Sequence, residues 1–279
     1  MIKKAIFLSS LTLLAACTGS YKTGNEQLDG FRDSQKWGDV ITQDITLDKF
    51  HGIHLTTNAT VYFTQSDEVS AYIKGNENVI SWYAFTTEDG ILCDRMIEDA
   101  ASSMPYVCLY VSAPSLDMIH VSGSGDIKLR QEMEVGDLEI MVDGSGDIEF
   151  HDLSCHNLTI TSNGSGDIKL RTLKAYAITS TLNASGDIDF KYAECETQAE
   201  CTSNGSGDID GDIIAKSITA KSAGSGDIDL EVSCQSVTAL SEGAGEIEIE
   251  GETCELIKSA QALGTLTTKK LKADKVSIQ

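Results

Sequence analysis

Apolar and polar residues alternate along most of this chain, and over its second half the alternation comes in matched blocks. Ile127-Lys128-Leu129, Ile148-Glu149-Phe150, Ile168-Lys169-Leu170 and Ile188-Asp189-Phe190 each put an apolar residue at every second place. That is the period of a strand with one face inward. A second alternating run follows in each block: Leu138, Ile140 and Val142, then Leu158, Ile160 and Ser162. Later blocks have Ala199, Cys201 and Ser203, then Ile218, Ala220 and Ser222. The narrowing to Ala, Ser and Cys predicts a thin interior there. A third, weaker run (Leu153 and Cys155, for example) leaves both a flattened and a triangular coil open.

The blocks meet at a repeated corner. Gly-Ser-Gly-Asp-Ile occupies 123–127, 144–148, 164–168, 205–209 and 224–228, with Ala-Ser-Gly-Asp-Ile at 184–188 and Gly-Ala-Gly-Glu-Ile at 243–247. A degenerate copy follows at 263–266. The corner acids are Asp126, Asp147, Asp167, Asp187, Asp208, Asp227 and Glu246, stepping by 19 to 21 residues. A fixed period of this length marks a repeat architecture. The glycines are read as corner residues able to adopt positive φ, and each Asp as bonding its own turn two residues on. One such unit cannot bury its apolar face alone, but stacked units can. The fold class is therefore all-β: a parallel β-solenoid, or β-helix, over residues 123–279 with coils of about 20 residues.

Residues 37–122 carry strand-like runs without the corner, among them Val40 to Leu47, Ala59 to Phe63 and Tyr106 to Val111. Terminal repeats are expected to be atypical, so this region reads as irregular coils capping the stack. A separate small β domain is the alternative. Both prolines, Pro105 and Pro114, precede the repeats, as uninterrupted ladders require. Residues 1–17 read as an export leader, with Lys3 and Lys4, an apolar stretch from Ala5 to Leu14, and Leu14-Ala15-Ala16-Cys17 at its end. That tetrapeptide resembles the lipobox of bacterial lipoproteins. The resemblance implies cleavage before Cys17, lipid attached to Cys17, and membrane association through that anchor. Thr18 follows Cys17, so no Asp there signals inner-membrane retention. The expected location is the bacterial outer membrane, facing either periplasm or exterior. Residues 18–36 read as a polar tether.

Dispersed strands, then Val111-Ser112-Ala113-Pro114-Ser115-Leu116, then the reiterated Gly-Ser-Gly-Asp-Ile resemble the head-GIN family over roughly residues 38–262. Its members are labelled "putative auto-transporter adhesins". The resemblance implies a β-helical fold without recognised catalytic residues, and a role in cell adhesion.

Charge narrows the partners. The formal net charge is −22, and loss of the leader would leave 19 basic against 43 acidic residues. Such a surface repels nucleic acid and anionic headgroups. The corner acids would form a ladder of carboxylates one strand spacing apart, repelling by somewhat under about 1 kcal/mol per pair in water. This ladder is at most a weak cation site; each Asp more simply stabilises its turn. No metal or cofactor is expected. Zinc-type Cys/His spacing, an EF-hand loop, a P-loop, a dinucleotide fingerprint and a nucleophile elbow are all missing. The histidines read as surface strand residues. Arg130 and Arg171 end repeat strands near corner acids, where a lyase would want a base, but they are scattered.

Of eight cysteines, removal of Cys17 by lipidation leaves seven. Cys93 and Cys108 could pair, as could Cys234 and Cys254 if their registers align. Cys155 and Cys195 are two coils apart, too far to bridge. The expected function is a non-catalytic envelope lipoprotein presenting a solenoid face to a glycan or protein ligand. The alternatives are a structural envelope protein and a polysaccharide lyase-like enzyme.

Overall fold

The computed structural model describes residues 37–97, 105, 107–260 and 264–278. Cys17, its leader and the tether lie outside the described residues. In chain order the elements are β1 (Val40–Ile45), β2 (Gly52–Leu55), β3 (Thr60–Gln65), β4 (Ser70–Asn76), a one-turn helix α1 (Glu77–Ile80), β5 (Tyr83–Glu88), β6 (Ile91–Met96), β7 (Cys108–Ala113) and β8 (Met118–Val121). The repeats supply β9 (Ile127–Glu134), β10 (Leu138–Val142), β11 (Ile148–Ser162), β12 (Ile168–Leu182), β13 (Ile188–Ser203), β14 (Ile209–Ile214) and β15 (Ser217–Ser222). They continue through β16 (Ile228–Ser241), β17 (Glu246–Ala260), β18 (Thr265–Thr267) and β19 (Leu271–Ile278).

From β8 onward the coils pair in parallel, each on the next. Ile127, Ile148, Ile168, Ile188, Ile209, Ile228 and Ile247 form one unbroken inward column, and every member is fully buried. Burying each such side chain is worth about 1.5–3 kcal/mol, which no single coil could collect alone. Alternation breaks twice per coil. In β12, Arg171-Thr172 and Tyr176-Ala177 put two consecutive residues outside the core. A strand must bend there to keep its next residue inward, so each coil has three faces. In β12 the inward residues are Ile168 and Leu170 on the first face, Leu173 and Ala175 on the second, and Ile178, Ser180 and Leu182 on the third. The coil is triangular, and the third face is the one that narrows.

The region before the repeats contains two coils, and they do not stack in chain order. β2 and β3 lie along β8 and β9 on one side, with Gly52 opposite Met118 and Val61 opposite Ile127. On their other side lie β6 and β7, with Gly52 opposite Ile91 and Val61 opposite Leu109. The first coil is thus clasped between two later ones. The far end is closed by antiparallel strands: β5 on β6, β4 on β7, and β1 on β4. Trp37 meets Trp82 edge to face there, with ring centroids 5.9 Å apart.

The corner corrects two sequence expectations. None of its glycines has a left-handed φ; among the described glycines only Gly38, Gly90 and Gly251 do. Glycine is needed because the coils touch. A Cβ on Gly166 would lie 2.0 Å from the carbonyl oxygen of Gly146, and one on Gly146 would lie 1.9 Å from that of Gly125. The corner acid does not tie its own turn either. Asp147 Oδ1 accepts the backbone N–H of Asp167 at 2.8 Å, and Asp187 that of Asp208 at 2.9 Å. Asp227 likewise accepts from Glu246 at 2.7 Å. Each carboxylate therefore fastens the next coil.

Candidate functional site

Every coil presents its first face outward through the residues between the inward ones, and register turns these into columns. The middle column runs Tyr72, Tyr110, Tyr62, Lys128, Glu149, Lys169, Asp189, Asp210, Asp229, Glu248. The corner acids flank it on one side. On the other stand Arg130, His151, Arg171 and Lys191, then Asp212, Glu231 and Glu250, the last three in register.

This face is polarised along the solenoid. Near the cap, Tyr62 and Tyr72 stack on either side of Tyr110 at 4.8 and 4.7 Å, and Arg130 lies 5.0 Å over the Tyr62 ring. Burial raises the Tyr110 hydroxyl far above its ordinary value, helped by the neighbouring Cys108 and tyrosines. In the middle coils cations meet the corner acids. Lys128 lies 3.4 Å from Asp126, and Lys169 lies 3.0 Å from Asp167. Burial pushes the Asp167 carboxyl up, but the Asp187 N–H and Lys169 outweigh it and the net shift is downward. Beyond Lys191 the face carries only acids: Asp208, Asp210, Asp212, Asp227, Asp229, Glu231, then Glu246, Glu248 and Glu250. These sit about 4.8 Å apart between coils and two residues apart along them. Asp210 is held above the ordinary carboxyl range by partial desolvation, then by Asp208, Asp229, Asp189 and Asp187. Lys270 closes the array, reaching Glu250 and lying 4.0 Å from Glu248.

Among the described residues no three His, Cys, Asp or Glu side chains converge where a metal ion could sit. The acidic array is a flat surface whose columns run parallel.

A second constellation went unseen in the sequence. His54 on β2 and His120 on β8 stack in parallel, with centroids 4.3 Å apart. His120 Nε2 pairs with Asp143 at 2.8 Å, and His54 Nε2 with Ser122 at 2.9 Å. Ser122 and Asp143 engage different histidines, so this is no Ser-His-Asp relay. Asp143 also accepts from Asn163, which begins a ladder through Asn183 to Asn204 with each step 2.8 to 2.9 Å. The Asn163 bond leads, and with His120 it holds the Asp143 carboxyl below its ordinary value. The signal in the sequence was faint: the histidines are 66 residues apart because β2 pairs with β8.

All seven described cysteines are free thiols. Cys93 and Cys108 do not pair, because β6 and β7 lie on different faces of one coil: Cys93 opposes His54, and Cys108 opposes Thr60. Nor do Cys234 and Cys254. The register sets Cys234 opposite Thr253, which leaves Cys254 one position on, pointing outward and exposed. Cys155 and Cys195 sit on either side of Ala175, too far apart to bridge. Burial, with Asp137 and Cys195, pushes the Cys155 thiol up to about 12. It is protonated at neutral pH and is not an activated nucleophile.

A stack of three-faced parallel coils with a continuous charged outer face is a parallel β-helix. The chain belongs to the head GIN domain family, described as "Putative auto-transporter adhesin, head GIN domain", whose profile matches residues 49–211 and 198–279. Similar solved structures include a "putative adhesin" from Parabacteroides merdae, 18% identical with a TM-score of 0.70, covering 83% of this chain and 97% of that one. A "putative adhesin" from Bacteroides fragilis is 22% identical with a TM-score of 0.64, covering 86% and 97%. A "putative lipid binding protein" from Parabacteroides distasonis is 19% identical with a TM-score of 0.65, covering 86% and 97%. These likenesses share the β-helical fold. No functionally curated protein matches the chain.

Proposed function

We propose that this protein is a non-catalytic, lipid-anchored envelope protein whose first face is an adhesive surface for a glycan or protein ligand. The observation that carries the reading is the polarised face itself. It runs from stacked tyrosines, through paired charges, to nine carboxylates in three registers. Such a surface suits a long, repetitive or cationic ligand laid along the solenoid, and family membership favours adhesion. The lyase-like alternative needs an available base beside carboxylates. Arg130 lies over Tyr62, and Arg171 is hydrogen-bonded to His151.

The first test is protease shaving of intact cells against a lysed control, detected with an antibody to the repeats. Cleavage on whole cells supports the adhesive reading; cleavage only after lysis removes it and leaves a structural envelope role. Replacement of Cys17 by Ser should release the protein from the membrane fraction. If the protein stays there, the anchor assignment is wrong. On a glycan and matrix-protein array, a combined Asp210→Asn, Asp229→Asn and Glu248→Gln variant should lose binding while its unfolding midpoint does not fall.

A further inference from the structure

The last described coil ends in an uncovered strand. β19 pairs through one edge with β17, from Gly251 opposite Leu271 to Lys258 opposite Ile278. Among the described residues β17 is the one strand that pairs with it. Its register continues the inward columns: Leu271, Ala273, Val276 and Ile278 follow Gly251, Thr253, Leu256 and Lys258. With no described residue packed beyond them, Val276 is 51% and Ile278 77% exposed. The opposite end differs, since β5 and β4 cover the edges of β6 and β7 with antiparallel strands, and β1 in turn covers β4.

Charge is also distinctive here. The chain carries −22 overall, yet the last strand neutralises the acids of the coil before it. Lys270 pairs with Glu250, Lys272 with Glu252 at 2.7 Å, and Lys275 with Glu255 at 2.6 Å. A second acidic molecule can approach this end with little of the repulsion it would meet along the faces.

We infer that this end docks on a second copy of the chain, β19 against β19, antiparallel about a twofold axis between Asp274 and Lys275. Leu271-Lys272-Ala273-Asp274-Lys275-Val276-Ser277-Ile278 is palindromic in sidedness: in, out, in, out, out, in, out, in. Reversed about its midpoint, it sets Leu271 against Ile278, Lys272 against Ser277, Ala273 against Val276, and Asp274 against Lys275. Every inward residue meets an inward one, and the charged pair has opposite signs, the arrangement that stabilises cross-strand neighbours. Sliding by one residue opposes inward with outward positions at every pair except the one on the axis, where Asp274 meets Asp274 or Lys275 meets Lys275. Sliding by two sets Lys272 on Lys275 in one direction and Lys275 on Val276 in the other. Edge lysines usually deter unselective pairing; here their own coil neutralises them, so they select the register. The contact is isologous and closes at two chains.

The test is sedimentation velocity with small-angle X-ray scattering on the full chain carrying Cys17→Ser, across the micromolar range. The expected particle has twice the mass of one chain and about twice its longest dimension. Val276→Lys combined with Ile278→Lys should be monomeric with an unchanged unfolding midpoint, because both side chains are exposed. Asp274→Lys, which opposes Lys to Lys, should weaken the dimer roughly tenfold or more. A monomer throughout overturns the proposal, and slow amide exchange along β19 in that monomer would assign the edge to another segment or partner. A dimer that survives the Val276 and Ile278 changes, or one no longer than a single chain, overturns it equally. This contact is independent of the adhesive reading and its loss would leave the first face intact.

Discussion

A methyl group at Gly164 would meet the Gly144 carbonyl at 2.0 Å, yet Ala184 holds the same place one coil later. The chain shows the consequence. At the other corners the first two amides bond back to the preceding coil, as Gly164 N–H does to Val142 at 3.0 Å and Ser165 N–H to Gly144 at 2.8 Å. The amides of Ala184 and Ser185 make no such bonds. Ala184→Gly should restore both, at about 1 kcal/mol each, less about 1 kcal/mol for the added freedom of glycine in the unfolded chain. The expected net gain is about 1 kcal/mol in urea unfolding. Gly166→Ala, where the preceding coil presses as closely, should lose more than about 3 kcal/mol. Equal effects at the two sites would refute the steric account of the corner. Charge makes a separate prediction. The folded-state pKa of Asp210 is raised, so the fold disfavours its charged form. That penalty is full above the folded value and is relieved as pH falls through it toward 3.8, the ordinary value. Asp210→Asn should therefore stabilise the protein at neutral pH, with the gain shrinking on acidification and vanishing below 3.8. A pH-independent effect would mean that the acidic array exerts no field at Asp210.

Along a single face the side chains work as ladders. The third-face corner column contains buried Ser162, Ser203, Ser222 and Ser241. Ser203 and Ser222 donate to the carbonyls of Gly207 and Gly226 at 3.2 Å, closing their own corners. The Ser162 and Ser241 hydroxyls have no partner. Ser222→Ala should cost about 1 kcal/mol, whereas Ser162→Ala should be neutral or stabilising because it removes an unsatisfied buried hydroxyl. Thermal melts of the two variants distinguish these outcomes, and a large loss at Ser162 would require a buried water there. At the capped end, the same inter-coil role falls to a residue outside the repeat. Asp94 on β6 is buried and accepts the Thr56 and Thr57 amides, at 2.5 and 3.1 Å, at the corner of the β2–β3 coil.

For the molecule as a whole, nearest-neighbour contacts dominate, so stability should behave as a sum over coils. Deleting 168–187 joins Asp167 to Ile188 and keeps every column in register. The shortened protein should fold with one coil fewer, showing cooperative unfolding and unchanged β-type circular dichroism. Deleting 168–177 removes half a coil, throws the columns out of register and should prevent folding of the adjoining coils. If both deletions behave alike, the columns do not specify the stack.

The inward columns were legible residue by residue. Ile127, Ile148, Ile168 and their successors fall at a nearly constant step, and a strand's local alternation multiplied by a constant step already defines a stack. The same arithmetic put Cys155 and Cys195 two coils apart. What it could not supply is how neighbouring coils touch. Gly and Asp at the corner suggested a turn, but both face neighbouring coils: a carbonyl of the coil before lies 2.0 Å from a would-be Cβ, and the carboxylate meets an amide of the coil after. One residue of register separates Cys234 from Cys254, because Thr253 takes the opposing position. The first coil sits between coils whose strands β6 and β8 begin 39 and 66 residues after β2, at Ile91 and Met118 against Gly52, which brings His54 onto His120. No period links those segments. Their partnership is chosen by which apolar edges remain to be covered once the chain has doubled back, and that choice exists only in three dimensions.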